Sequence, residues 1–141
     1  MFEYFEMDRD ISDMLGVTLK SVTGAEGDDE IHFVAEDGRE WLMFHRQDCC
    51  EHVRVEEVIG DTSDLIGAPL VEAECVSNHE GDPAPEFPES WTWTFYKLRT
   101  EKGCVTLRWL GESNGYYGEG VDFVRKNPGK EKAPEGAEER K

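Results

Sequence analysis

The chain has 141 residues and a formal net charge of −17, from 32 acidic and 15 basic residues. This length is typical of one domain with its own hydrophobic core. No stretch approaches the roughly 20 apolar residues that a membrane-spanning helix requires. The acidic N-terminus lacks the basic start and apolar core of a secretory signal, so we expect a cytoplasmic protein that does not act at a membrane.

The acidic charge is concentrated in one part of the chain. Residues 125–141 carry six basic and four acidic side chains, which leaves residues 1–124 with 9 basic and 28 acidic ones. The field of such a body repels the phosphates of a nucleic-acid duplex and attracts a basic protein surface. Solubility, or adaptation to a salty environment, is the alternative explanation of the same charge.

The first part of the chain predicts a helical turn followed by strands. Residues 10–15 suit one helical turn, and Val17–Thr23 alternates as a strand does. The runs Glu30–Ala35 and Arg39–His45 flank Asp37-Gly38, a dipeptide typical of hairpin turns. These three runs therefore predict a strand followed by a hairpin.

The middle of the chain predicts a capped turn and two more strands. Asp48 and Glu51 fit a capping box, which favours a short helix or turn from Cys49. Residues 53–59 and 70–76 read as strands, and 61–69 as a loop or single helical turn. Ser77–Ser90 is long and proline-rich, so we expect an irregular connection there.

The clearest hairpin lies near residue 100. The run Trp91–Tyr96 alternates large apolar with β-branched polar residues, and Glu101–Gly103 reads as a three-residue loop with glycine in the left-handed position. That register places Phe95 opposite Trp109 and Lys97 opposite Leu107. Asn114-Gly115 predicts another turn before a strand over residues 121–124.

Together these patterns predict a mainly β fold: an antiparallel sheet of about six to eight strands, curved or sandwiched, with one or two short helices (α+β at most). Residues 1–16 form an acidic N-terminal segment, 17–124 the single β-rich domain, and 125–141 a charged tail. The tail has no apolar side chain larger than alanine, so we expect it to be disordered.

One group of residues carries ligand and nucleophile types. Imidazole, thiolate and carboxylate groups are zinc ligands, and a cysteine at a helix N-terminus can become a nucleophile. Neighbouring cysteines diverge by about 100° on a helix or 180° on a strand, so they seldom share one ion. A disulfide between neighbours closes a strained ring, so we expect all four cysteines to be reduced. We predict no cofactor, with Zn²⁺ as an alternative at this group: His45, Asp48, Cys49, Cys50 and His52.

A second group suits binding rather than catalysis. A glycine-rich loop that bears tyrosines can close over a small ligand, and Tyr and Trp are frequent anchors of protein interfaces. A plain Asn-Gly hairpin whose tyrosines pack on the sheet is the alternative interpretation. The candidate binding residues are Arg108, Trp109, Ser113, Asn114, Tyr116 and Tyr117.

Several strings resemble a family of short proteins of unknown function that are encoded largely by bacteriophages and prophages. These strings are Trp41–His45, Asp48–Val53, Gly60-Asp61, Ser90–Tyr96 and Ser113–Tyr117, and the likeness covers about residues 17–124. The resemblance implies a phage origin and action inside a bacterium, with no assigned enzyme activity.

The sequence leaves three hypotheses about function, because no motif in it names a reaction. The first is a phage accessory protein that binds a host macromolecule, such as a basic protein, through an acidic, aromatic-bearing surface. The second is a protein that binds or sequesters a small ligand, such as a nucleotide, near Arg108 and the Ser113–Gly120 loop. The third is a metal- or thiol-dependent enzyme centred on His45–His52.

Overall fold

The computed structural model describes residues 6–86 and 89–126, which form nine strands in two antiparallel sheets. One sheet has the strand order β1-β9-β4-β3-β2 and the other β5-β8-β7-β6. The fold is mainly β, as the sequence predicts. The strands are β1 Glu6–Asp8, β2 Leu19–Thr23, β3 Glu30–Ala35, β4 Glu40–Phe44, β5 His52–Ile59, β6 Glu72–His79, β7 Ser90–Thr100, β8 Gly103–Ser113 and β9 Asp122–Lys126.

Two short 3-10 helices, Ile11–Met14 and Thr62–Leu65, supply the predicted helical turns. Each begins after an aspartate whose carboxylate accepts a hydrogen bond from the backbone two residues later. Ser12 N donates to Asp10 over 3.1 Å, and Ser63 N donates to Asp61 over 3.0 Å. Aspartate is favoured at such positions because it satisfies an otherwise unpaired N–H group. No helix among the described residues is long and apolar enough to cross a membrane.

The two sheets share one hydrophobic core, which combines aliphatic and aromatic side chains. Trp41 of β4 and Trp109 of β8 are fully buried, and each ring nitrogen has a partner. Trp41 Nε1 donates to Asp13 over 2.9 Å, and Trp109 Nε1 points at the sulfur of Met43 over 3.2 Å. Because Met43 lies on the five-stranded sheet, the Trp109 contact joins the two sheets.

The predicted hairpin around Asp37-Gly38 is confirmed. β3 pairs with β4, Gly38 has a φ of +98°, and Ala35 N donates to Arg39 O over 2.8 Å. Glycine is favoured there because a side chain would strain a left-handed backbone.

The hairpin of β7 and β8 forms where the sequence predicts it, but the predicted register is wrong by one residue. Thr100 pairs with Gly103, so the loop has two residues, and Phe95 faces Arg108 while Trp109 faces Thr94. A one-residue shift exchanges the faces of a strand, which is how Trp109 reaches the core while Phe95 turns outward. Gly103 is not in the left-handed conformation. A Cβ atom at Gly103 would lie 2.6 Å from a carboxylate oxygen of Asp64, so a larger residue there would require the Asp64 side chain to move.

Two strands extend beyond their predicted ends. β6 continues through His79 into the segment expected to be irregular, because it pairs with β7 along its whole length. β9 continues through Lys126, so Arg125 and Lys126 belong to the sheet. The remainder of the predicted tail, residues 127–141, lies outside the described residues.

Candidate functional site

A pocket of about 440 Å³ lies at one end of the four-stranded sheet, and it joins two segments that are far apart in sequence. His52 opens β5 opposite Glu112 of β8, and Ser113 ends β8 opposite Ser90 of β7. This pairing brings the His45–His52 segment beside the Ser113–Gly120 loop. The pocket is lined by Cys50, His52, Glu86, Glu89, Glu112, Ser113 and Asn114.

His45 turns away from this pocket and pairs with a buried carboxylate. Its Nε2 atom lies 2.7 Å from an oxygen of Glu51, and its Nδ1 atom lies 2.7 Å from the carbonyl oxygen of Gly120. The side chain of Glu51 is fully buried and also accepts the backbone N–H groups of Asp48 and Cys49, over 2.8 and 2.9 Å. The hydrogen bond from His45, followed by those backbone donors, outweighs burial and lowers the pKa of Glu51 to about 2.

Both ring nitrogens of His45 are engaged. A carbonyl oxygen can only accept, so Nδ1 donates to Gly120 O, and Nε2 faces the carboxylate of Glu51. The His45 side chain thus ties the end of β4 to the loop before β9.

The bend at residues 48–51 corrects one expectation about Cys49 and Cys50. The chain turns at Cys49 without forming a helix, and Glu51 accepts the N–H of Asp48, as the capping box predicts. The sulfur atoms of Cys49 and Cys50 lie 2.07 Å apart and form a disulfide, so the prediction of reduced thiols is wrong for this pair. The side chains share one side because the chain is neither helix nor strand there. Cys75 and Cys104 are exposed free thiols, as predicted.

A second buried carboxylate, Glu119, holds the tyrosine-bearing loop on the sheet. One of its oxygens accepts the hydroxyl of Thr92 over 2.8 Å, and the other accepts the hydroxyl of Ser113. Burial alone would raise the pKa of Glu119, but hydrogen bonds from Ser113, Ser90 and Thr92 outweigh it and lower the pKa. His79 extends the network, with its Nδ1 atom 3.1 Å from the hydroxyl of Thr92. The hydroxyls thus compensate the carboxylate for lost hydration.

The loop from Asn114 to Gly120 is closely fitted to β8. A Cβ atom at Gly111 would lie only 2.2 Å from the carbonyl oxygen of Glu119, so the loop backbone lies against this glycine. Gly115 has a φ of +95°, and the carboxamide oxygen of Asn114 accepts the N–H of Tyr116 over 2.9 Å. The predicted Asn-Gly turn is therefore present, and its backbone is fixed at both ends.

The loop presents a pair of tyrosine rings to solvent. Tyr116 is 82% exposed, and its ring packs edge-to-face on the half-buried ring of Tyr117, with centroids 5.0 Å apart. An exposed aromatic residue on a fixed loop loses little conformational freedom when it binds a partner. The alternative interpretation, in which the tyrosines pack on the sheet, does not hold for Tyr116, because its ring is exposed to solvent.

Two of the candidate binding residues lie away from the loop. Trp109 is fully buried in the core. Arg108 lies on the outer face of the four-stranded sheet, where its guanidinium stacks 4.5 Å from the centroid of the Trp93 ring and pairs with Glu57. Neither side chain reaches the pocket at the end of the sheet.

This arrangement does not support the hypotheses of a metal site or a thiol nucleophile at His45–His52. Among the residues that the structure describes, no three His, Cys, Asp or Glu side chains converge as metal ligands. Cys49 and Cys50 cannot be thiolates while they are bonded to each other, and His45 is occupied by Glu51.

Three carboxylates of this region were not predicted from the sequence: Glu86, Glu89 and Glu119. Glu86 and Glu89 are separated from Glu112 by more than 20 positions, and only the folded connection between β6 and β7 brings them to the same pocket. Glu119 had one available signal, since it is a lone acidic residue between two glycines in a loop that contains Ser and Asn.

The model of the DUF7448 family, a domain of unknown function, matches residues 12–123. Because this match covers most of the chain, the protein belongs to the DUF7448 family. No curated protein and no solved structure matches it.

Proposed function

We propose that this member of the DUF7448 family is a binding protein that contacts a basic segment of a macromolecular partner through the end of the four-stranded sheet. The observation that carries the proposal is the 82% exposed Tyr116 ring on a loop held by the buried Glu119. Tyrosine supplies a large contact area at a small entropic cost, and it is enriched among the residues that dominate binding energy.

The charges around the tyrosine loop favour a basic partner. Glu86 and Glu89 line the neighbouring pocket together with Glu112, which is paired with Arg54, and the whole chain carries a net charge of −17. Such a field accelerates the encounter with a cationic surface. A Lys or Arg side chain of the partner can also stack on the exposed ring of Tyr116. The likeness to phage and prophage proteins suggests that the partner is a host macromolecule in the bacterial cytoplasm.

The other hypotheses have less support. A nucleotide in the pocket would bring its phosphates beside Glu86 and Glu89, while Arg108 lies on the outer face of the sheet. A thiol- or metal-dependent enzyme would need His45 and the cysteines free for chemistry, and they are engaged with one another or with Glu51.

The test is capture of partners from a bacterial lysate by the full chain at low and high salt. We expect capture that weakens at high salt, and about tenfold weaker binding for Tyr116→Ala, since anchor residues contribute more than about 1 kcal/mol. Val71→Ala is the matched control, because Val71 is also exposed (53%) and lies outside the loop. Equal binding by Tyr116→Ala and the control, or no capture at low salt, would contradict the proposal.

A further inference from the structure

The four-stranded sheet has an open edge at β6, which differs from the other sheet edges in the described chain. Edge strands are normally protected by shortness, bulges or covering segments. β1 has three residues, β2 carries a bulge between Leu19 and Ser21, and β5 carries a bulge between Val55 and Glu57. The β5 edge is also covered, since Gly27 N donates to Val55 O over 2.8 Å.

β6 is neither short nor bulged, although the 3-10 helix Ile11–Met14 packs against part of it. Its eight residues pair with β7 in one uninterrupted register, without a proline, and the six residues from 74 to 79 are all exposed. Glu80 N donates to Trp91 O, so the even-numbered residues of this register exchange hydrogen bonds with β7. Hydrogen-bonded and non-hydrogen-bonded pairs alternate in antiparallel sheets. The N–H and C=O groups of Cys75 and Ser77 therefore point away from β7, toward the open edge.

A groove of about 350 Å³ on the outer face runs up to this edge. It is lined by Ile59, Val76, Phe95, Lys97, Thr106 and Arg108. Val76 belongs to both the edge and the groove, and it is 47% exposed. We call the β6 backbone and this groove together the edge groove.

The edge groove offers backbone pairing and a side-chain pocket side by side. This combination is used for β-strand addition, in which main-chain hydrogen bonds provide affinity and pockets for alternate side chains provide specificity. We propose that the edge groove binds an extended polypeptide segment that adds to β6 as a fifth strand of this sheet. This docking surface is separate from the tyrosine loop.

The side chains across β7 and β6 indicate what that segment contains. In the β6–β7 register, Lys97 lies opposite Glu74 and Phe95 lies opposite Val76. Arg99 lies opposite Glu72, and its Nε atom is 3.0 Å from a carboxylate oxygen of Glu72. Unlike charges and apolar pairs directly across a sheet are stabilising, and like charges are not. The added strand therefore carries cations beside Glu72 and Glu74 and an apolar side chain beside Val76.

A strand that runs antiparallel to β6 meets Val76 first, then Glu74 and then Glu72. Its sequence is therefore apolar-x-basic-x-basic, with these three side chains on the outer face of the sheet. A second copy of the chain does not fit, because its own β6 would bring Glu72 and Glu74 to the same edge, in two chains that each carry a charge of −17.

The test uses a synthetic, terminally blocked peptide, Thr-Leu-Thr-Lys-Thr-Lys-Thr, and amide hydrogen exchange measured by NMR on the full chain. We expect the amides of Cys75 and Ser77 to become protected on binding. A peptide of the same composition with Leu moved by one position, and one with Glu for Lys, should each bind about tenfold more weakly, because the first turns Leu to the other face and the second opposes like charges.

Two protein variants locate the binding. Ser77→Pro removes an N–H that faces the open edge and should weaken the peptide by about tenfold, since proline at an edge leaves the β7 pairing intact. Ser77→Ala is the matched control and should bind normally. Val76→Lys removes the apolar contact in a fully folded protein and should also weaken the peptide.

The outcomes separate this inference from the proposed function. Protection on β6 that is lost in Ser77→Pro and kept in Tyr116→Ala supports the edge groove. Binding that perturbs only residues 113–120 overturns it while it supports the tyrosine loop. Absence of binding, or protection of β6 that depends on protein concentration without peptide, also overturns it, and the latter would assign the edge to a second copy.

Discussion

Removal of the Glu119 carboxylate tests the contacts that hold the tyrosine loop. In Glu119→Ala, the hydroxyls of Ser90, Thr92 and Ser113 lose their common acceptor. A hydrogen bond to a charged group contributes about 1.5–3 kcal/mol, so three such bonds would cost at least about 4.5 kcal/mol if nothing replaced them. Water that enters the vacated space replaces part of the lost hydrogen bonding. We expect the free energy of unfolding to fall by about 2–3 kcal/mol and Tm to fall by about 10 °C.

Glu119→Gln refines the same test, because it keeps the shape and one carbonyl oxygen. In this variant the NH2 group of glutamine replaces one carboxylate oxygen, so one hydroxyl loses its acceptor. The free energy of unfolding should therefore fall by about 1 kcal/mol. Urea unfolding followed by tryptophan fluorescence measures the stability of both variants. The control is Glu101→Gln, because Glu101 is exposed in the β7–β8 loop and its substitution should leave stability unchanged. Unchanged stability in Glu119→Ala, or a larger loss in the Gln variant, would refute the reasoning.

Two further predictions follow from the loops at this end of the sheet. The pKa of Glu51 falls from 4.5 to about 2 in the folded chain, so its contribution to stability is complete above about pH 4.5 and is lost as the pH falls toward 2. Acid unfolding of Glu51→Gln should therefore depend less on pH in that window, and an identical profile would contradict the pairing with His45. Gly111→Ala should destabilise the protein and loosen the tyrosine loop, because its Cβ would overlap Glu119 O, whereas Gly118→Ala, with no atom within 4 Å of the new Cβ, should be tolerated. Thermal melts of the two variants measure the difference, and equal melts would count against the fitted loop.

The sequence by itself determined the features that depend on local chemistry. Alternation of apolar and polar residues located most strands, Asp37-Gly38 located a hairpin, and the two 3-10 helices lie within the predicted turn at 10–15 and the predicted loop or turn at 61–69. These signals are readable because each involves residues a few positions apart, whose conformational preferences act on the same backbone.

Tertiary structure alone decided the register and the meetings of distant side chains. The sequence predicted a three-residue β7–β8 loop, whereas the folded hairpin has two loop residues and buries Trp109 against Met43. Glu119 meets Thr92 across 27 positions, and His45 meets Gly120 across 75. Such contacts form only when whole sheets pack, because the free energy that selects them comes from burial shared by many residues and not from the preferences of the residues that meet.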